Sequence, residues 1–459
     1  MFIDGLWYAT LSRNLAEGTG TFWQPHLTET FFSAFYSHPP LLFGLQSILF
    51  AVFGDHLFVE RIYCLLIALL TIYSIHYFWR YLFRDNSKIQ ALSFLPILFW
   101  LSNETVYFGY VNNLMEGTLG LFTFWAVFLL YRYSEASETN NLKSWGWLLV
   151  SGVLILLAIL TKGLVGLFPL AFLGIYWLVY RRISFSWMFL LSIFLSGVVT
   201  IGFWLILQNP AAHLYLDGYL DIQLSHALSG ESKENLRTTR FHILKMLVER
   251  SLPVIILVVM LLIYQFQKKK ALPPPASWKM ALLFILVGLS GTLPIMITLK
   301  QVSYYLLPVL PFYSLGFAIL VAPFVLGLFD NLQGSQLYQK LSWTILAIFL
   351  VYTIGYGISQ VGKIDKRDRQ LLTDIMLVGK QVPEGSIISH QIKEVGDMTY
   401  GYFARYYHIS LESSSNRPFL LLEKGDSGLP QLDVLNQYQY IPLGTERFNL
   451  YQLKEESVH

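Results

Sequence analysis

Residues 145–180 read WGWLLVSGVLILLAILTKGLVGLFPLAFLGIYWLVY, an apolar run whose one charge is Lys162. As a single helix it would rise about 54 Å at roughly 1.5 Å per residue, nearly twice the ~30 Å hydrocarbon thickness of a bilayer. The run therefore predicts a membrane hairpin that turns near Lys162. Outward from it, similar runs occupy residues 62–79, 89–103, 117–131, 185–207, 251–266, 280–299, 302–329 and 341–358. With the hairpin these make about ten spans. Only helices and closed barrels satisfy backbone hydrogen bonds in lipid, and apolar runs without period-2 alternation select helices.

The composition agrees. Hydrophobic residues make up 54% of the 459 and charged residues 13%, against about 25% charged in soluble domains, and the mean hydropathy is +0.50. The fold class expected is an α-helical polytopic membrane protein. A net charge of +3 with no basic block longer than Lys268-Lys269-Lys270 excludes nucleic acid as a partner. A lone cysteine, Cys64, excludes a disulfide framework.

Lys and Arg set the orientation. Arg80, Arg84, Lys88, Arg132, Lys143, Arg181, Arg182, Lys268–Lys270 and Lys279 fall in alternate loops, which the positive-inside rule makes cytoplasmic. Residues 1–56, the Lys162 turn, the loop 208–250 and Lys300 then share the opposite face. Residues 41–53 are too short to span and read as an interfacial helix. After about residue 358 the composition shifts to charged and turn-forming residues, with a helix expected over 366–381 and strands over 418–422 and 448–453. The domain organisation expected is a membrane-embedded domain, 1–358, and a small extracytoplasmic α/β domain, 359–459.

A lysine held at membrane depth costs about 2.5 to 3.5 kcal/mol, so Lys162 and Lys300 are candidates for function rather than for packing; snorkelling to the headgroups is the bland alternative. Asp4, Tyr8 and Arg13, then His38-Pro39-Pro40-Leu41, then Phe53-Gly54 with Arg61, form an ordered set on the same face. This set resembles the first extracytoplasmic loop of the GT-C glycosyltransferases that use polyprenyl-phosphate sugars, of glycosyltransferase family 39 type, which include protein O-mannosyltransferases and the lipid A aminoarabinose transferase. Thr161-Lys162-Gly163 resembles that family's Thr-Lys-Gly turn. Lys300 and Tyr304-Tyr305-Leu306-Leu307-Pro308 with Pro311 resemble its late Lys and Tyr-Leu-Leu-Pro segment.

The resemblance implies transfer of a monosaccharide from a polyprenyl-phosphate donor to a lipid A, glycan or protein acceptor at the outer face of a bacterial cytoplasmic membrane, with inversion. Such a reaction needs one base for the acceptor's proton and cations for the leaving phosphate. Asp4 is the expected base. Lys162, Lys300, His38 and Arg13 are the expected phosphate contacts, and Glu116 matches a second acidic site, with a helix cap as the alternative. Where many members have an acidic pair this chain has Asp4-Gly5, and where many have Glu-Lys before the prolines it has Ser37-His38. A titrating contact is the favoured role for His38, and a divalent metal there stays open. A lipid-linked-glycan flippase or other transporter is the competing class, expected to line a midplane path with polar residues. Because chain termini are poorly ordered, Asp4 so close to Met1 implies a preceding anchor, a membrane helix of roughly 20–30 residues with its flank.

Overall fold

The computed structural model describes residues 2–136, 142–224, 239–267, 273–332, 366–392, 396–414, 417–424 and 435–454, with scattered positions between 340 and 363. Its chain order begins with α1 (Ile3–Ala16), a two-residue hairpin of β1 (Gly20–Thr21) and β2 (Gln24–Pro25), and α2 (Leu41–Phe53). Then come α3 (Val59–Leu82), α4 (Ser87–Leu101), α5 (Glu104–Val111), α6 (Met115–Ala136), α7 (Leu142–Lys162), α8 (Phe172–Tyr180), α9 (Phe185–Leu207), α10 (Pro210–Tyr219), α11 (His242–Gln267), α12 (Pro275–Thr292) and α13 (Leu310–Leu332). The C-terminal part holds α14 (Arg369–Gly379) and α15 (Asp397–Tyr407), and the strands β3 (Ile387–His390), β4 (Ser410–Glu412), β5 (Phe419–Glu423), β6 (Tyr438–Ile441) and β7 (Phe448–Leu453).

Side-chain caps start several of the helices. Asn103 accepts from the Thr105 amide at α5, Ser184 from Trp187 at α9 and Asn209 from Ala211 at α10, each satisfying an orphan first-turn donor. Six helical stretches among the described residues are long and apolar enough to cross a membrane, or seven if the bent pair α5–α6 is one span. The sequence gives rise to an expectation of about ten. Ser144–Tyr180 counts once by length although it doubles back, Ser87–Leu101 falls short of a full span, and most of residues 341–358 lie outside the described residues.

The hairpin turn lies where the charge predicts it. Gly163 has a φ of +72°, the left-handed region that favours glycine, and ends α7. The chain then returns so tightly that a Cβ on Gly166 would come within 2.7 Å of the Ala158 carbonyl carbon. Both ends of the hairpin meet the C-terminal end of α6: the Trp145 ring lies 6.2 Å from Tyr133, and the Tyr176 hydroxyl donates to Glu135 Oε1 at 2.9 Å.

The chain divides into two compact units. One comprises residues 36–44 and 58–334, the bundle of α3 to α13, with interlocked rings such as Phe78 against Phe128 and Phe284 in its core. The other comprises residues 1–35, 45–57 and 335–459. Its five-stranded sheet runs β4-β3-β5-β7-β6, parallel at β3–β4 and β3–β5 and antiparallel at β5–β7 and β7–β6. Buried Asp374 of α14 accepts from the amides of Glu446, Arg447 and Phe448 at 2.8, 2.6 and 3.2 Å, tying that helix to the start of β7. Leu6 of α1 is buried in the same core as Ile375, Phe403 and Leu450, so the first helix belongs to the C-terminal fold.

Candidate active site

In the bundle, the turn after α7 gathers most of the residues singled out above. A side chain at Gly163 would meet the Tyr219 hydroxyl at 1.9 Å, so the glycine serves both the left-handed backbone and the approach of α10. Lys162, 11% exposed, forms an ion pair with Glu116, 2% exposed. Its ammonium also lies 5.0 Å from the centre of the Tyr305 ring and 5.8 Å from that of Tyr304, within reach of cation–π attraction. Glu116 stands in the first turn of α6, where the helix dipole favours a carboxylate. That helix starts here because buried Asn113, at φ +56°, turns the chain through the 114° bend from α5. The second Glu116 oxygen, Oε2, is buried with no hydrogen-bond partner among the described residues.

His38 sits on the loop before the paired prolines, and its carbonyl accepts a hydrogen bond from the buried Tyr215 hydroxyl. Burial first, then the charges of Lys162 and Lys300, push its imidazole down to about 3. Both causes disfavour the charged imidazolium and leave the ring a hydrogen-bonding group. Lys300 is exposed, on a loop fixed by its neighbour. Buried Gln301 accepts from the Ile243 amide at 2.6 Å and donates to the carbonyls of Arg240 and Thr298 at 3.0 and 2.8 Å, which ties the loop to the start of α11.

Directly after Lys162 an apolar cleft of about 220 Å3 opens, lined by Pro39, Leu160, Leu164, Phe203, Leu216 and Tyr219 among others. Burial raises the Tyr219 phenol and Lys162 opposes that shift. Sequence reasoning missed Tyr215 and Tyr219. Their signal is the four-residue spacing that puts both on one face of a helix begun by Asn209-Pro210.

The other unit holds Asp4 and Arg13. Asp4 is partly buried in the first turn of α1. Arg13 is 2% exposed and donates to the carbonyls of Ala404 and Arg405 at 3.0 and 3.2 Å and to Asn14 Oδ1 at 2.8 Å, with Asp55 at 3.6 Å. Asp55 also accepts from Arg405 and, at 2.9 Å, from the His408 ring. Burial would raise the Asp55 carboxyl, but His408, Arg405 and Arg13 hold it at about 2. Glu17, Asp55 and His408 bring ligand atoms within 4.8 Å of one another. With two guanidiniums already on Asp55, the chemistry of that donor set favours a salt-bridge network over a cation site.

Residues 37–205 match the family model described as dolichyl-phosphate-mannose-protein mannosyltransferase. No curated protein matches the chain. Among solved structures, ArnT from Cupriavidus metallidurans bound to undecaprenyl phosphate is similar at 15% identity, with a TM-score of 0.63 over 98% of this chain and 93% of that one. The apo state of the same protein gives 14% identity and a TM-score of 0.58, over 97% and 92%. These likenesses show that the chain shares the fold of ArnT over nearly its whole length, with the family match confined to residues 37–205.

Proposed function

We propose that the chain transfers a monosaccharide from a polyprenyl-phosphate donor to an extracytoplasmic lipid, glycan or protein acceptor, with inversion, at the outer face of a bacterial cytoplasmic membrane. The observation that carries the reading is a cation beside an apolar cleft: Lys162 immediately precedes Gly163, which lines the cleft. An amphipathic lipid phosphate has that complement, an anionic head and an isoprenoid tail.

In this reading Lys162 and Lys300 hold the phosphate as it leaves, and neutral His38 donates a hydrogen bond to it. Glu116, paired with Lys162, holds the ammonium in place before the donor arrives. Asp4 takes the proton of the acceptor hydroxyl as that oxygen attacks the anomeric carbon, so a single carboxylate suffices and no covalent sugar intermediate forms. Arg13 is left out of the phosphate set, because its donors are occupied by carbonyls and carboxylates of its own unit.

The test is turnover of a polyprenyl-phosphate sugar by purified protein and its Asp4→Asn variant. A positioned base contributes on the order of 100-fold to 10,000-fold, and the amide keeps the shape without accepting the proton. Near-normal turnover in the variant would remove Asp4 from the mechanism. Mass spectrometry of glycolipids and glycoproteins from cells with and without the gene names the acceptor.

A further inference from the structure

The helix that carries Asp4, α1, is held by α15. Ile3 and Leu6, on either side of Asp4, lie against Gly401: a Cβ built there would come 3.0 Å from Ile3 Cδ1 and 3.2 Å from Leu6 Cδ1. Leu6 is fully buried in the core beneath the C-terminal sheet. One face of Trp7 is closed by Phe31 and Phe35, whose ring centres lie 5.5 and 6.4 Å away. At the far end of α1, Arg13 donates to the carbonyls of Ala404 and Arg405, the negative pole of α15. Arg405, wholly buried, in turn grips Asp55 and the His56 carbonyl and lies 5.1 Å from the centre of the Phe50 ring. Thus α1 is clamped at both ends, by a packing contact in which an added methyl group would make Ile3 or Leu6 give by a few tenths of an ångström and by a buried guanidinium.

We propose that the C-terminal domain is the mount of the catalytic base, with Gly401 and Arg13 as positioning residues for Asp4. This rests on Asp4 being the base. A catalytic group has to be held to within about 0.5 Å, and a displacement of ~1 Å costs about 100-fold in rate. A side chain at Gly401 pushes on the turn that carries Asp4, and it leaves the bundle residues assigned to the phosphate unaltered.

The experiment uses the full chain in lipid nanodiscs, with three readouts: turnover, affinity for undecaprenyl phosphate, and amide exchange of residues 3–12. Gly401→Val is expected to lose roughly 100-fold in turnover, to keep its affinity for undecaprenyl phosphate, and to exchange faster along α1. Gly401→Ala is expected to lose less, and Ile3→Val in the same chain, which deletes the nearest of the atoms the new methyl group meets, to restore part of the loss. The Gly401→Ala pair decides the matter if the valine variant does not fold. Unchanged turnover despite faster exchange would overturn the proposal, as would unchanged exchange or a loss of lipid-phosphate affinity as large as the loss of turnover. An active Asp4→Asn enzyme would instead sink the base assignment, and the exchange data would still report whether Gly401 anchors the helix.

Discussion

Arg13 and Lys162 are both basic residues in the last turn of a helix, both nearly buried, and their surroundings differ in kind. Arg13 presents a rigid fork whose donors meet two carbonyls and Asn14, with Asp55 and Glu17 within 4 Å. Lys162 presents a compact charge on a flexible stem, with one carboxylate and two aromatic faces around it and an apolar cleft next in line. A fork saturated by backbone is a structural tie, whereas a point charge beside a carboxylate and an apolar cleft can be shared with an incoming anion. Burial of a cation alone does not separate the two surroundings; the kind of its partners does.

The comparison breaks most visibly on the paired alanine variants. Lys162→Ala is expected to lower turnover on the order of 100-fold to 1,000-fold, the range for one preorganised charge contact, and to weaken undecaprenyl phosphate binding. Arg13→Ala is expected to keep that binding and lose about 3 kcal/mol of stability, because it strips a buried network of one cation. Thermal unfolding and lipid-phosphate titration on both variants read the contrast, and a phosphate defect in Arg13→Ala with normal stability would reverse the two assignments.

Gly163→Ala comes next, with an expected loss of about 2 kcal/mol from left-handed strain and displacement of Tyr219. Adding Tyr219→Phe removes the nearest atom and should recover only part, since the φ of +72° remains. Full recovery would assign the glycine to the close approach alone.

Smaller still is the acid response of Asp55. Its folded pKa of about 2 lies below the ordinary 3.8, so it contributes stability that is complete above pH 3.8 and is lost as pH falls through about 2. The contribution is roughly 1–2 kcal/mol after allowing for its quarter exposure. In Asp55→Asn the slope of stability against pH in that window should flatten. A null is expected of His38: with a pKa of about 3 it stays neutral across roughly pH 5–8, and its carbon-bound protons should show no titration there. The folded chain loses stability through His38 as pH falls from 6.5 towards 3, where the unfolded chain binds the proton more readily. A midpoint near 6.5 would restore the titrating contact.

Much of the fold was legible because lipid allows few answers. Apolar runs of membrane length have to be helices, and a 145–180 run with one charge has to turn, which it does at Gly163. The strands at 419–423 and 448–453 and the helix at 369–379 were equally readable from turn residues and alternation. The Lys162 site was half legible: the Thr-Lys-Gly turn pointed to it, but its neighbours Glu116, Tyr219 and Tyr305 come from elements far apart in the chain, and irregular spacing in the loop 208–250 hid Tyr215 and Tyr219.

By itself the sequence determined the class of molecule, the hairpin and the candidate cations, since these follow from hydropathy, length and charge counted along the chain. Tertiary structure alone decided that one cation is tied to backbone carbonyls and the other sits between a carboxylate, two aromatic rings and an apolar cleft. It also decided that residues 1–35 fold with residues 335–459. Nothing local in α1 names Gly401 or Ala404, because a partner some 390 positions away is selected by the shape left over when both helices have buried their apolar faces.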